Sequence, residues 1–428
     1  MNTTPEHSEN KLCEETKSDN LPVIAFGLLL GWLLYSLVKN ELTMTLSDYS
    51  GHLYTYLPLF DQGTLFEGWK TVPYCMWHVC VLALKALLHI PLEESAAWVS
   101  SAFHLFSYLV IYWMILRFSR AHGYEECPKK AAFFAFGLSV VQGLYFDWLG
   151  IEGPYVGIFS INPLHNPTQT TVTGFALLCF SLVVDIWGFQ ENERYLGIFF
   201  PVQKNPRKYY LLLTLFLFLS AMAKPTFAEM FIPAVALIML GKWISHILQK
   251  DRSASIYFKH CLNMLLCAVP TLLYILLQFF AYFIWGGSYG ADGGLTVTKW
   301  LEVWSMFSDN VILSVALGMA FPLFMILIDS RFFVSNNLGR LSLTGYIIGF
   351  LEAALLGEGG SKLSHGDFLW PMMCGMLLLW VTAVLRFLVL NKQQRDTPIR
   401  RILLDIACCL LCLHIMFGLL FIKNSLLA

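Results

Sequence analysis

Hydrophobic runs of about 20 residues, the length that crosses a bilayer as a helix, recur from one end of this chain to the other. The first covers 21–38. Others follow at 96–117, 131–148, 169–188, 209–223, 226–243, 261–285, 310–330, 341–356, 369–391 and 402–421, which predicts about eleven spanning helices. The stretch between the first two runs, 39–95, holds two amphipathic aromatic segments. His52 to Phe60 reads as a helix lying in the membrane interface, and Tyr74 to Ile90, interrupted by His78, Lys85 and His89, reads as a second. Residues 1–20 are polar, show no apolar periodicity and read as a disordered cytoplasmic tail. The expected fold class is all-α: a polytopic transmembrane helical bundle forming one domain over 21–428, with juxtamembrane helices in its first outer loop.

The polar connections set the orientation. Lys and Arg concentrate in alternate ones: Arg117, Arg120, Lys129 and Lys130; Arg194, Lys204, Arg207 and Lys208; Lys250, Arg252 and Lys259; Arg331 and Arg340; Lys392, Arg395, Arg400 and Arg401. The positive-inside rule makes these cytoplasmic, and the N-terminus with them. The intervening connections 149–168, 286–309 and 357–368 hold few Lys or Arg and fall on the other side. The stretch with Asp48 joins that outer side provided 74–90 does not span.

Composition agrees with a multi-pass membrane protein. Of 428 residues, 57% are hydrophobic and 13% charged, against roughly 25% charged in soluble domains. A net charge of −1 leaves no basic surface for nucleic acid. The cysteines inside apolar runs (Cys179, Cys267, Cys374, Cys408, Cys409, Cys412) read as small apolar fillers rather than a disulfide framework or a zinc site.

Candidate chemistry sits in the outer connections. The first begins Leu46-Ser-Asp-Tyr-Ser-Gly-His-Leu53, placing Asp48 and His52 near hydrocarbon, where a charge is costly unless solvated or employed. The second carries Glu152-Gly-Pro-Tyr155 and Asn162-Pro-Leu-His-Asn-Pro-Thr168. Its two Asn-Pro steps cannot continue a helix, so His165 and Asn166 are held at a helix start, where backbone N–H groups favour anions. Ala223-Lys-Pro-Thr226 is a hinge so short that Lys224 must lie at the interface, available to a phosphate. Trp285 to Gly294 is glycine-rich and able to mould to a ligand. Gly357 to Trp370 packs Glu358, Lys362, His365 and Asp367 between two apolar runs. Taken singly, each has a structural reading: a cap for Asp48, a turn for His165 and Asn166, a snorkelling lysine for Lys224. Their collection on one face points to a shared site. Asp48 is then the catalytic base, with His52, His165, Asn166, Lys224, Glu358, Lys362, His365 and Asp367 as substrate-binding residues and no metal ligands assigned among them.

A carboxylate base beside phosphate-binding groups and long apolar helices suits transfer from a lipid-linked donor. The base takes a proton from an acceptor hydroxyl, which attacks the anomeric carbon, while Lys224, Lys362, His365 or a divalent cation (Mg or Mn) stabilises the departing phosphate. With these residues in place, the chain resembles the GT-C superfamily of integral membrane glycosyltransferases. Ser47-Asp48-Tyr49 occupies the position of that family's acidic motif, and 52–60 and 70–90 resemble its two juxtamembrane helices. Tyr49 stands where a second acid is commoner. The resemblance implies Asp48 as base, a polyprenyl-phosphate sugar as donor, a glycan, lipid or protein acceptor, and a site facing away from the cytoplasm. A polysaccharide polymerase or ligase is an alternative, although the outer connections contain essentially no Arg for a pyrophosphate. A transporter or flippase is another, with Asp147, Asp185, Glu229 and Glu352 as its candidate residues.

Overall fold

The computed structural model describes residues 20–44, 47–61, 65–146, 159–190, 198–200, 207–250, 253–284, 294–393 and 397–427. The tail 1–19, the Glu152-Gly-Pro-Tyr155 stretch and all but the last residue of the glycine-rich connection 285–294 lie outside them.

Helix α1 (Leu21–Glu41) opens the bundle with a proline in its first turn. Its missing N–H is one that a helix start leaves unpaired in any case. Helix α2 begins as Asp48–Ser50, passes through a π-helical Gly51–Tyr56 and closes as Leu57–Asp61. Two short helices follow, α3 (Leu65–Thr71) and α4 (Met76–Leu88), before the long α5 (Leu92–Ala121). The region between the first two long helices is therefore helical but too short in each piece to cross a bilayer.

The chain continues through α6 (Pro128–Val140), α7 (Pro167–Gln190), α8 (Arg207–Ala223), α9 (Thr226–Leu248) and α10 (Ala254–Phe283). Strand β1 (Leu295–Val297), the short α11 (Glu302–Ser305), α12 (Val311–Ile328), α13 (Ser330–Ser335) and α14 (Asn337–Leu355) come next. Strand β2 (Leu356–Glu358), two 3-10 turns (Gly360–His365 and Asp367–Leu369), α15 (Trp370–Gln393) and α16 (Pro398–Leu427) complete the fold. β1 and β2 pair antiparallel, Leu295 opposite Glu358 and Val297 opposite Leu356. This pairing ties the connection ahead of α11 to the one ahead of α15.

Among the described residues nine helices are long and apolar enough to cross a membrane: α1, α5, α7, α9, α10, α12, α14, α15 and α16. The chain is an all-α, multi-pass membrane bundle. Large apolar side chains such as Leu28, Trp32, Leu211, Ile312 and Leu327 stay exposed on its outside, the arrangement expected where lipid is the solvent. α7 and α15 run through the centre with nearly all their residues buried. α14 lies close against α15 because glycines remove side chains from the seam: a Cβ at Gly349 would meet the Cα of Met372 at 2.7 Å, and one at Gly375 the Cα of Tyr346 at 2.7 Å.

Two of the eleven expected spans differ from the rest. α8 has 17 residues, about 26 Å of helix. The run 131–148 is not one helix: α6 stops at Val140 after 13 residues, the Val141 N–H still pairs with the Gly137 carbonyl at 2.9 Å, and 142–146 continue outside any helix. The break is affordable in an apolar surround because polar side chains take over the freed backbone groups. Asn162 Nδ2 donates to the carbonyls of Leu138 (2.8 Å) and Val141 (2.9 Å), and His104 Nε2 donates to that of Ser139 (2.9 Å). The N–H of Gln142 donates to the His414 carbonyl at 3.2 Å and that of Leu144 to the Leu317 carbonyl at 3.1 Å. His414 Nδ1 returns a bond to the Gln142 carbonyl at 2.7 Å.

Candidate functional site

One end of the bundle gathers the C-termini of α1 and α16 with the N-termini of α2, α7, α9 and α15. They surround a cavity of about 1320 Å³. Three of those starts are dictated locally. Asn166-Pro167 opens α7 and Lys224-Pro225 precedes α9, since the residue before a proline is pushed out of helical geometry. Gly366, at φ 71°, takes the left-handed conformation that turns the chain into α15. Helix N-termini carry partial positive charge, so the cavity has an anion-favouring floor before any side chain is counted.

Asp48 stands in the first turn of α2, whose start is capped by Ser47: the Ser50 N–H donates to Ser47 Oγ at 3.1 Å. Its side chain remains 43% exposed, open to the cavity. Asn166 Nδ2 donates to Asp48 Oδ2 at 2.8 Å. The amide has only that orientation available, because its Oδ1 accepts from the Gln169 N–H and from Thr168 Oγ1, both at 2.9 Å. His165 Nε2 lies 3.8 Å from the same Asp48 oxygen. Burial pushes the His165 imidazole down to about 4; Asp48 opposes that shift and Lys224 adds to it.

Lys224 is 7% exposed, with its Nζ 3.9 Å from the centroid of the Trp370 ring, within cation–π range. Among the described residues the ammonium has no hydrogen bond or ion pair. Burial lowers its pKa from the ordinary lysine value, opposed by Asp367 and Asp48 among the nearby acids. Trp370 also lies 5.8 Å, ring to ring, from His165.

The π turn sets His52 and Tyr56 side by side on the cavity wall, ring centroids 5.4 Å apart. Behind them His52 Nδ1 is 3.1 Å from His78 Nε2, one nitrogen donating and the other accepting. Burial pushes His52 well below the usual imidazole range and His78 to about 3, so both are neutral near pH 7. Tyr56 is pushed up by burial, then by Asp367 and Asp48.

His365 and Asp367 line the cavity from the connection ahead of α15. Glu358 and Lys362 do not line it; Glu358 lies behind His365, its Oε2 4.0 Å from His365 Nδ1. Of the other ionisable residues in the first outer loop, Asp61 pairs with Lys85 (2.7 Å) and Glu67 with Lys70 (2.8 Å), both away from the cavity. Glu41, Tyr74, Gln142 and Trp370 belong to the wall and escape the sequence reading: Glu41 ends an apolar run like any interfacial charge, and Gln142 sits inside what reads as a spanning helix. Met44, Phe146, Phe417, Leu420 and Phe421 give the cavity an apolar side. Among the described residues no group of three or more His, Cys, Asp and Glu side chains is placed to hold a metal ion.

The arrangement offers an oriented carboxylate, a buried cation with no ion pair among the described residues, three neutral imidazoles or amides within reach, and an apolar wall. Compared with family models and with curated proteins, the chain matches none.

Proposed function

We propose that the protein is a membrane glycosyltransferase that moves a sugar from a polyprenyl-phosphate donor to an acceptor hydroxyl on a glycan, lipid or protein. Asp48 takes the hydroxyl proton, the oxygen attacks the anomeric carbon, and the bond from that carbon to the phosphate oxygen breaks. The leaving phosphate gathers negative charge, which Lys224 and the helix starts at Pro167 and Trp370 stabilise. His165, neutral near pH 7, contributes a hydrogen bond rather than a charge. The single observation that carries the reading is the joining of Asp48, held by Asn166, and Lys224, resting on the Trp370 ring, in one cavity that also has an apolar side for a lipid. The alternating Lys and Arg connections support a site facing away from the cytoplasm and a cytoplasmic N-terminus.

The test is transfer from radiolabelled polyprenyl-phosphate sugars in proteoliposomes. Asp48→Asn is expected to abolish product at normal protein abundance. Lys224→Ala is expected to raise the donor KM by about tenfold or more, the loss of a charge-assisted contact. Full activity in Asp48→Asn would remove Asp48 from the chemistry. A flippase is the second reading, favoured by the unwound stretch 142–146 beside the cavity, since transporters place substrates at broken helices. Movement of the donor across the bilayer without product in the same liposomes would favour it.

A further inference from the structure

Glu41 is 8% exposed and lines the cavity, and among the described residues its carboxylate has no hydrogen bond or ion pair. It shares the wall with two more carboxylates, Asp48 and Asp367, against one ammonium, Lys224. The imidazoles do not restore the balance. His52 and His165 are kept neutral by burial, and His365 sits at the exposed rim beside Glu358. The sequence of 147–158 and 285–293 contains no Lys or Arg either. Lys423, on the last helix, is exposed and outside the wall. A buried carboxylate without a partner is costly, and here such a carboxylate lines the same cavity as a buried cation that rests on the Trp370 ring and, among the described residues, has no hydrogen bond or ion pair.

We propose that the ligand of this cavity carries a primary ammonium, received by Glu41, as well as the phosphate received by Lys224. The inference rests on the transfer reading above and narrows its substrate class: the amine belongs either to the donor sugar or to the aminoethyl-phosphate group of a lipid that also bears the free hydroxyl acting as acceptor. A bound metal ion is the other occupant that would satisfy Glu41, and the experiment below tells the two apart. Glu41 acts as a binding residue and takes no part in bond breaking.

The experiment is ligand-induced thermal stabilisation of the full-length protein in detergent, with two matched pairs of probes. One pair is polyprenyl-phosphate glucosamine and its N-acetyl form, in which the charge is removed. The other is lysophosphatidylethanolamine, which keeps a free glycerol hydroxyl, and its N-acetylated form. The expected result is that, in one pair, the free amine binds about tenfold or more tightly than the acetylated form, and that Glu41→Gln makes the two equal. The pair that discriminates identifies which substrate carries the amine. Equal binding within both pairs overturns the ammonium assignment, and the transfer reading survives it if either polyprenyl-phosphate sugar binds. Stabilisation by magnesium chloride alone, lost in Glu41→Gln, overturns it in favour of a metal ion. Failure of all four probes to bind overturns both readings. Should Glu41→Gln fail to fold, the wild-type comparison within each pair still decides.

Discussion

Asn166 does two jobs with one side chain: its oxygen caps α7 and its nitrogen orients Asp48. The two are separable. Asn166→Asp keeps an N-cap acceptor but loses the donor and sets a second carboxylate against Asp48, whereas Asn166→Ala loses both. We expect Asn166→Asp to hold thermal stability within about 1 kcal/mol of wild type while lowering kcat by about a hundredfold, the usual cost of a misplaced reacting group. Unchanged kcat in Asn166→Asp, measured in the transfer assay, would leave the residue a cap alone. The buried imidazoles give a second expectation at this scale. His52, His78 and His165 bind protons less readily in the folded protein than in the unfolded chain. Stability from keeping them neutral is therefore complete above the unfolded value of about 6.5 and is lost as pH falls below it, by about 1 kcal/mol per pH unit for each group. The midpoint of thermal unfolding should fall between pH 7 and pH 5 and stay level between pH 7 and pH 8. Asp48, His165, Lys224, His365 and Asp367 were legible in the sequence because polar residues at the ends of apolar runs need a reason to be there. Glu41 was not, because what singles it out is the absence of a partner, a property of the folded neighbourhood.

At the scale of elements, the unwound end of α6 is the feature that pattern reading misses. Residues 131–148 are apolar enough to continue as helix, and the break becomes stable only because Asn162, His104 and α16 supply partners from distant parts of the chain. A Cβ at Gly418 would collide with the Val140 carbonyl oxygen, so this glycine is what lets α16 approach the end of α6. Gly418→Ala is expected to destabilise by about 1–3 kcal/mol through overpacking. Asn162→Leu should cost a similar amount by leaving the Leu138 carbonyl without its bond. Both are read from thermal unfolding of purified protein; a change within 0.5 kcal/mol in either, the range usual for surface substitutions, would show that the break does not depend on that contact.

At the scale of the molecule, the connections alternate between two ends. Gln393 donates to the His122 carbonyl at 2.8 Å at one end, and Asp48 meets Asn166 at the other. Single cysteines at positions 48, 165 and 365, in a background lacking reactive native thiols, should label from the non-cytoplasmic side, and those at 122 and 393 from the cytoplasmic side. Labelling of 48 from the opposite side to 165 and 365 would break the shared site apart.

By itself the sequence determined the class, the multi-pass helical character and, Glu41 apart, the acidic, basic and imidazole side chains that line the cavity at the Asp48 end. Those follow from run length, charge alternation and proline placement, all properties local to the chain. Only the tertiary structure decided that α6 stops short, that Glu358 and Lys362 stand outside the cavity, and that Glu41 and Lys224 face it with no hydrogen bond or ion pair to their charged groups among the described residues. Each of those depends on which distant groups come within hydrogen-bonding distance, and hydrophobic periodicity carries no information about that.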